Sequence, residues 1–148
     1  MSQPVITRGT YLDILVGDGA TPEVFTQLCG LTTKTFTEQV NSSDIFIPDC
    51  ADPEDIPVRR LNITGKQWDI SGEGLMNRAQ GALMRTLIGV TKNYRFVVAE
   101  PSGENVDSGY YEGPAALLNR QLSGPGGGEY STSSITIASD GEFVWVDA

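Results

Sequence analysis

Five acidic residues, Asp44, Asp49, Asp52, Glu54 and Asp55, fall within the 16 residues from Ser42 to Pro57, and no base is among them. Carboxylates this close on a short segment are the ligands calcium favours. The spacing lacks the alternating ligand positions, central glycine and terminal glutamate of an EF-hand, so no metal is expected there. Asp69 with Glu73, or Asp140 with Glu142, could in principle converge as the carboxylate pair of a glycosidase-like site. Acids beside Gly, Ser and Pro are ordinarily solvated turn residues, which is the reading these receive. The chain has no histidine. Ser-His-Asp and Cys-His arrangements are therefore excluded, and the common zinc sites lose their usual nitrogen ligand. The tract Gly124-Pro125-Gly126-Gly127-Gly128 precedes neither Lys-Ser/Thr nor a helical pattern, so it reads as a flexible turn, not a phosphate cradle. No enzymatic activity and no cofactor are expected.

The same acidic segment makes better sense as a contact. Pro48, Pro53 and Pro57 remove backbone donors and bias the preceding residues away from helix, which predicts a long loop over 42–57 within a single domain spanning 1–148. Long loops inside compact domains are usually functional or disordered. This one carries an apolar triplet, Ile45-Phe46-Ile47, which a disordered linker has little reason to contain. An apolar tip with an acidic fringe suits an interface with a dry centre and a polar rim, and the surface expected to receive it is another copy of the chain. Arg59-Arg60, the only adjacent pair of bases, is expected to pair with the loop acids within a subunit or across a subunit boundary.

The elements that would carry this loop are mostly strands. Tyr11 to Val16 and Val24 to Leu28 flank a cluster of turn residues and read as a hairpin, and the threonine-rich stretch Leu31 to Val40 as a half-buried or edge strand. In Arg59 to Ser71, Leu61 and Ile63 share one parity and Trp68 and Ile70 the other. A bulge at Gly65-Lys66 would bring all four to one face. Leu75 to Ile88 has an apolar residue every four positions and a terminal Gly89, which predicts a helix fit to cover a sheet. Tyr94, Phe96 and Val98 alternate as a strand ending near Glu100-Pro101-Ser102-Gly103, and Glu100, Glu104, Asp107 and Glu112 again gather acid. Tyr110 to Leu122 reads as a strand bent at Gly113-Pro114. Tyr130 to Ala138 and Phe143 to Val146 read as a C-terminal hairpin turning at Asp140-Gly141. Seven or eight strands, one helix and no βαβ alternation predict a mainly β fold: an antiparallel sandwich or barrel with a flanking α-helix.

Composition narrows the partners. A formal charge of −9 over 148 residues repels phosphate backbones, so specific DNA or RNA binding is disfavoured, although a conduit through which DNA slides without sticking would need this balance. No apolar run is long enough to cross a membrane, and Met1-Ser2-Gln3-Pro4 lacks the features of a signal peptide, so synthesis in the cytoplasm is expected. Cys29 and Cys50 are expected to be free thiols, the former behaving as a small buried hydrophobe.

In order and spacing the chain resembles the major tail tube proteins of long-tailed, non-contractile (siphovirus-like) bacteriophages and of gene transfer agents. The resemblance runs from Tyr11-Leu12-Asp13-Ile14-Leu15-Val16 and Phe25-Thr26-Gln27-Leu28-Cys29-Gly30-Leu31 into Leu61-Asn62-Ile63-Thr64-Gly65-Lys66-Gln67-Trp68-Asp69-Ile70-Ser71-Gly72-Glu73-Gly74. It continues through Gly109-Tyr110-Tyr111-Glu112-Gly113 and Ser134-Ile135-Thr136-Ile137-Ala138-Ser139-Asp140-Gly141. What it implies is a structural virion protein whose hexameric rings stack into the tail tube, with DNA passing through unbound. The implied partners are other copies of itself, the tape measure protein, the tail terminator and distal tail proteins. Ile45, Phe46 and Ile47 would then anchor ring-to-ring contacts, fringed by Asp44, Asp49, Asp52, Glu54 and Asp55. A monomeric β-sandwich that binds or decorates a phage particle through its loops is the rival reading.

Overall fold

Alternating apolar residues with high β-branched content become strand along most of the chain, as a half-buried pleated surface demands. The structure, a computed structural model, describes residues 6, 8, 11–98 and 108–147. The turn expected at 100–103, the acids Glu100, Glu104 and Asp107, and Met1 to Pro4 lie outside the described residues. Among the described residues there are eight strands: β1 Leu12–Gly17, β2 Phe25–Gln27, β3 Leu31–Ile47, β4 Val58–Leu75, β5 Thr91–Val98, β6 Gly109–Ser123, β7 Thr132–Ser139 and β8 Val144–Asp147. A 3-10 turn, Arg78–Gln80, and one short helix, α1 Gly81–Leu87, separate β4 from β5. By contact, the described residues divide into two units. One holds the residues up to Thr37 and from Trp68 onward, the other Glu38–Gln67.

In the first unit the strand order is β2-β1-β5-β6-β7-β4-β3, with β8 also on β6. The sheet closes on itself: Phe36, on the terminal strand β3, packs against Phe96 of β5 and Tyr111 of β6 with ring centroids 5.4 and 4.5 Å apart. Lys34 of β3 likewise reaches Asp13 of β1 at 3.2 Å. Between these faces lie Ile14, Val16, Trp68, Ile70, Tyr94, Phe96, Leu117, Ile135 and Ile137, all buried, with Met84 and Leu87 of α1. Each large side chain fully withdrawn from water contributes about 1.5–3 kcal/mol before entropy is subtracted. The expected mainly antiparallel β fold is present, with a single short helix.

At the β1–β2 turn, the Asp18 carboxylate accepts hydrogen bonds from the backbone N–H groups of Ala20 (2.9 Å) and Val24 (3.2 Å). These donors favour the ionised form and hold the carboxyl below its usual pKa.

Three expectations are corrected here. The helix predicted over Leu75 to Ile88 is only α1, because β4 runs on through Leu75 and pairs with β7 as far as Leu75 opposite Thr132. Gly74 permits this, since a Cβ there would collide with the Gly30 carbonyl and the Leu31 backbone. Asn77 then starts the 3-10 turn by accepting the Ala79 N–H at 3.1 Å, and Gly81, Met84 and Leu87 face inward, whereas Leu75 and Ala79 are exposed. Second, β7 and β8 do not form a hairpin. Both pair with β6, β8 along Gly109 to Glu112 and β7 along Ala115 to Ser123, so they follow one another beside the same strand. Pairing of β6 with β5 runs unbroken through Gly113-Pro114, where a bend was expected; the register shift is against β7, between Leu117 and Asn119, and Asp140 donates its N–H to the Pro114 carbonyl. Third, Cys29 is exposed, as is Cys50, and both are free thiols.

Candidate functional site

The unit Glu38–Gln67 consists of the later part of β3, the loop Pro48 to Pro57 and the earlier part of β4, with β3 and β4 as hydrogen-bonded neighbours. At one end it is held by polar side chains: Thr64 Oγ1 donates to the Asn41 carbonyl at 3.1 Å, and the Gln67 amide bridges Asn41 and Gln39 at 3.4 Å each. At the other end the loop makes its own turns. Asp49 Oδ1 accepts the Ala51 N–H at 2.9 Å, and the Asp55 N–H donates to the Asp52 carbonyl at 3.1 Å.

This arrangement corrects the expected loop over 42–57. Residues 42–47, including Asp44 and the triplet Ile45-Phe46-Ile47, belong to β3, and only 48–57 is loop. Pro48 is the residue that stops the strand, because it cannot donate to a ladder. Successive strand residues point to opposite faces, and Ile45, Phe46 and Ile47 are 51%, 62% and 54% exposed. Neither face of the ribbon is covered. Val40, Val58, Leu61 and Ile63 are exposed as well, whereas Trp68 and Ile70 are buried, so the four residues expected on one face fall into two pairs in different units.

Asp49, Asp52, Glu54 and Asp55 are exposed on the loop, and Arg59 and Arg60 are exposed at the start of β4. The two ion pairs found among the described residues, Lys34–Asp13 and Arg95–Glu112, involve none of them, so an ion pair of Arg59 or Arg60 with the loop acids inside the subunit is not formed. The described residues contain no group of three or more Cys, Asp or Glu arranged to hold a metal ion, and no helix long and apolar enough to cross a membrane. An open groove of about 430 Å³ between β3, β4, β6 and β7 is lined by Thr32, Thr33, Glu73, Gln121 and Ser134, a set with one carboxylate and no nucleophile–base pair.

The apolar ribbon and the acidic loop thus lie open within a single chain. The family model described as phage tail tube protein matches residues 7–145. The chain belongs to the phage tail tube protein family. No individual curated protein matches it significantly. Among solved structures, a chain from the virion of a native gene transfer agent particle superposes with a TM-score of 0.71 at 16% identity, covering 95% of this chain and 99% of that one. A chain from the tail of an empty gene transfer agent particle, refined with C6 symmetry, gives 0.70 at 17% identity with coverage of 95% and 99%. The SPP1 tail tube gives 0.62 at 15% identity, covering 98% and 80%. The tail tube resemblance and the antiparallel fold are thus established, and the protein is a structural tail tube component.

For this tail tube protein, sequence reasoning put the acids and the apolar triplet on one loop, whereas Asp44 and the triplet lie in β3 and the other acids on the loop after it. It missed Val40, Val58, Leu61 and Ile63 as parts of the same surface. The signal was available: the parity change near Gly65 marks the point where apolar residues stop serving the core.

Proposed function

We propose that six copies of this chain close into a ring, that rings stack into the tube through which DNA leaves the particle, and that the ribbon Glu38–Gln67 makes the contact between subunits of successive rings. The observation that carries this is the uncovered ribbon. A two-stranded hairpin is marginal in water, and apolar side chains on both of its faces gain by burial in a partner. Six-fold closure is supported by the C6 symmetry of the similar gene transfer agent tail. Ring formation also satisfies exposed sheet edges by continuing them into a neighbour. Ile45, Phe46 and Ile47 act as the anchors, with Asp44, Asp49, Asp52, Glu54, Asp55, Arg59 and Arg60 as the charged rim.

The acidic surface lets DNA pass without a ladder of salt bridges. Tape measure, terminator and distal tail proteins are the other expected contacts, no catalysis is assigned, and the assembled protein resides in the virion tail. Replacing Phe46 with Asp should leave a folded subunit that no longer forms tubes, because a charge would enter a dry contact. Size-exclusion chromatography and negative-stain microscopy of the purified variant decide it, and normal tubes would refute the ribbon contact.

A further inference from the structure

One face of the first unit is set apart by its chemistry. Along β4 and β7, buried Trp68, Ile70, Ile135 and Ile137 alternate with side chains that point away from the core. The pairing aligns those outward residues in rows across three strands: Ser71, Thr136 and Asn119 in one, Glu73, Ser134 and Gln121 in the next. β3, beside β4, adds exposed Thr33, Thr35 and Thr37. The charged groups on this face are the carboxylates Asp69 and Glu73, and no Lys or Arg stands on it among the described residues. Hydroxyls and amides keep a surface wet, yet without a cation they give a phosphate backbone no ion pair to hold it.

The band β3-β4-β7-β6 also ends in open edges. β3 is terminal in the sheet, and β6 from Asn119 to Ser123 pairs with β7 alone among the described residues. Such edges accept a neighbour's strand. The core, α1 and the inner side chains of β1 and β5 all lie behind the band, opposite the hydroxyl face. Copies joined edge to edge must therefore put that bulk on the wider, outer side of the curve and the hydroxyl face on the inner side. Six such four-stranded bands, with strands about 4.8 Å apart and tilted about 40°, enclose a bore of about 40 Å once side chains line it, which leaves room for a duplex and water.

We propose that this hydroxyl face is the surface along which duplex DNA slides through the tube. The inference rests on the six-fold tube proposed above and adds which side of the sheet meets the DNA.

Tubes are assembled from a Cys29→Ser/Cys50→Ser chain that carries either Thr136→Cys on the face or Arg85→Cys on α1. A small maleimide should label both, and a maleimide bearing a polymer wider than the bore should label only the Arg85→Cys tubes until they are dissolved. Equal labelling of both tubes by the bulky reagent overturns the assignment. So does a folded Thr136→Cys subunit that no longer assembles, because the face is then a contact. Tubes of Gln121→Lys/Thr136→Lys should retain at least tenfold more short duplex DNA than wild-type tubes at low salt, in nuclease-resistant form, and release it as salt rises. Retention at the wild-type level, or of nuclease-sensitive DNA only, also overturns it. A wild-type chain that forms no tubes at all fails the tube reading itself, whereas tubes whose Thr136→Cys thiol lies outside leave that reading standing and refute the sliding face alone.

Discussion

Phe36 lies nearly flat on Tyr111, with ring planes 11° from parallel and centroids 4.5 Å apart, although β3 and β6 are separated in the sheet by β7 and β4. The pair therefore spans the sandwich and does not run along it. Phe36 also touches Trp68, Phe96 and Phe143, which makes it the hub of an aromatic cluster contributed by separate strands.

Phe36→Ala should cost about 3 kcal/mol, at the lower end of the range for removing a buried phenylalanine because the residue is only partly covered. Urea unfolding of the unassembled subunit measures it. A loss under 1 kcal/mol would mean that the cluster does not hold the two faces together.

Tyr94 is fully buried, and its hydroxyl has no hydrogen-bond partner among the described residues. Replacing it with Phe should raise stability by about 1 kcal/mol, because an unsatisfied polar atom is removed and its shape kept. Burial also pushes the phenol up to about 12 from 10.0. The unfolded chain then ionises first as pH rises. Stability from this group is complete below pH 10 and falls between 10 and 12 by at most about 1.4 kcal/mol per unit. Alkaline unfolding curves of wild type and Tyr94→Phe should diverge in that window, with the variant less sensitive.

Gly113→Ala should destabilise the fold by about 1–3 kcal/mol, since the added Cβ would sit 2.8 Å from both the Glu142 carbonyl and the Trp68 ring. Gly124→Ala, where a Cβ meets nothing within 4 Å, is the control and should leave the melting temperature unchanged.

Lys34 and Asp13 join β3 to β1 at 3.2 Å, with side-chain exposures of 12% and 29%, and Gln27 Nε2 also donates to Asp13 at 2.9 Å. A double-mutant cycle of Lys34→Met and Asp13→Ala should give a coupling near 1 kcal/mol, above that of a fully exposed pair. Coupling near zero would leave the aromatic cluster as the main tie between those strands.

Much of this was legible in the residues. Tyr94 and Phe96 alternate with Arg95 as the buried pattern of β5 does, and Ile14 and Val16 mark the inner face of β1. What misled were signals valid locally and overridden by pairing. Leu75, Ala79, Leu83 and Leu87 keep a helical period, yet Gly72 and Gly74 let β4 lie against β3 and claim Leu75 for the sheet. Asp140-Gly141 has the chemistry of a tight hairpin, yet β6 is long enough to take both β7 and β8 along one side. The proline-rich loop was readable as a break, but its starting point was set by Pro48 and not by the serines before it.

Side chains that leave both sides of a strand oily demand a clasp and not a single flat seat. If the triplet Ile45-Phe46-Ile47 is closed over from above and below, removing what covers it would return both sides of the finger to water at once.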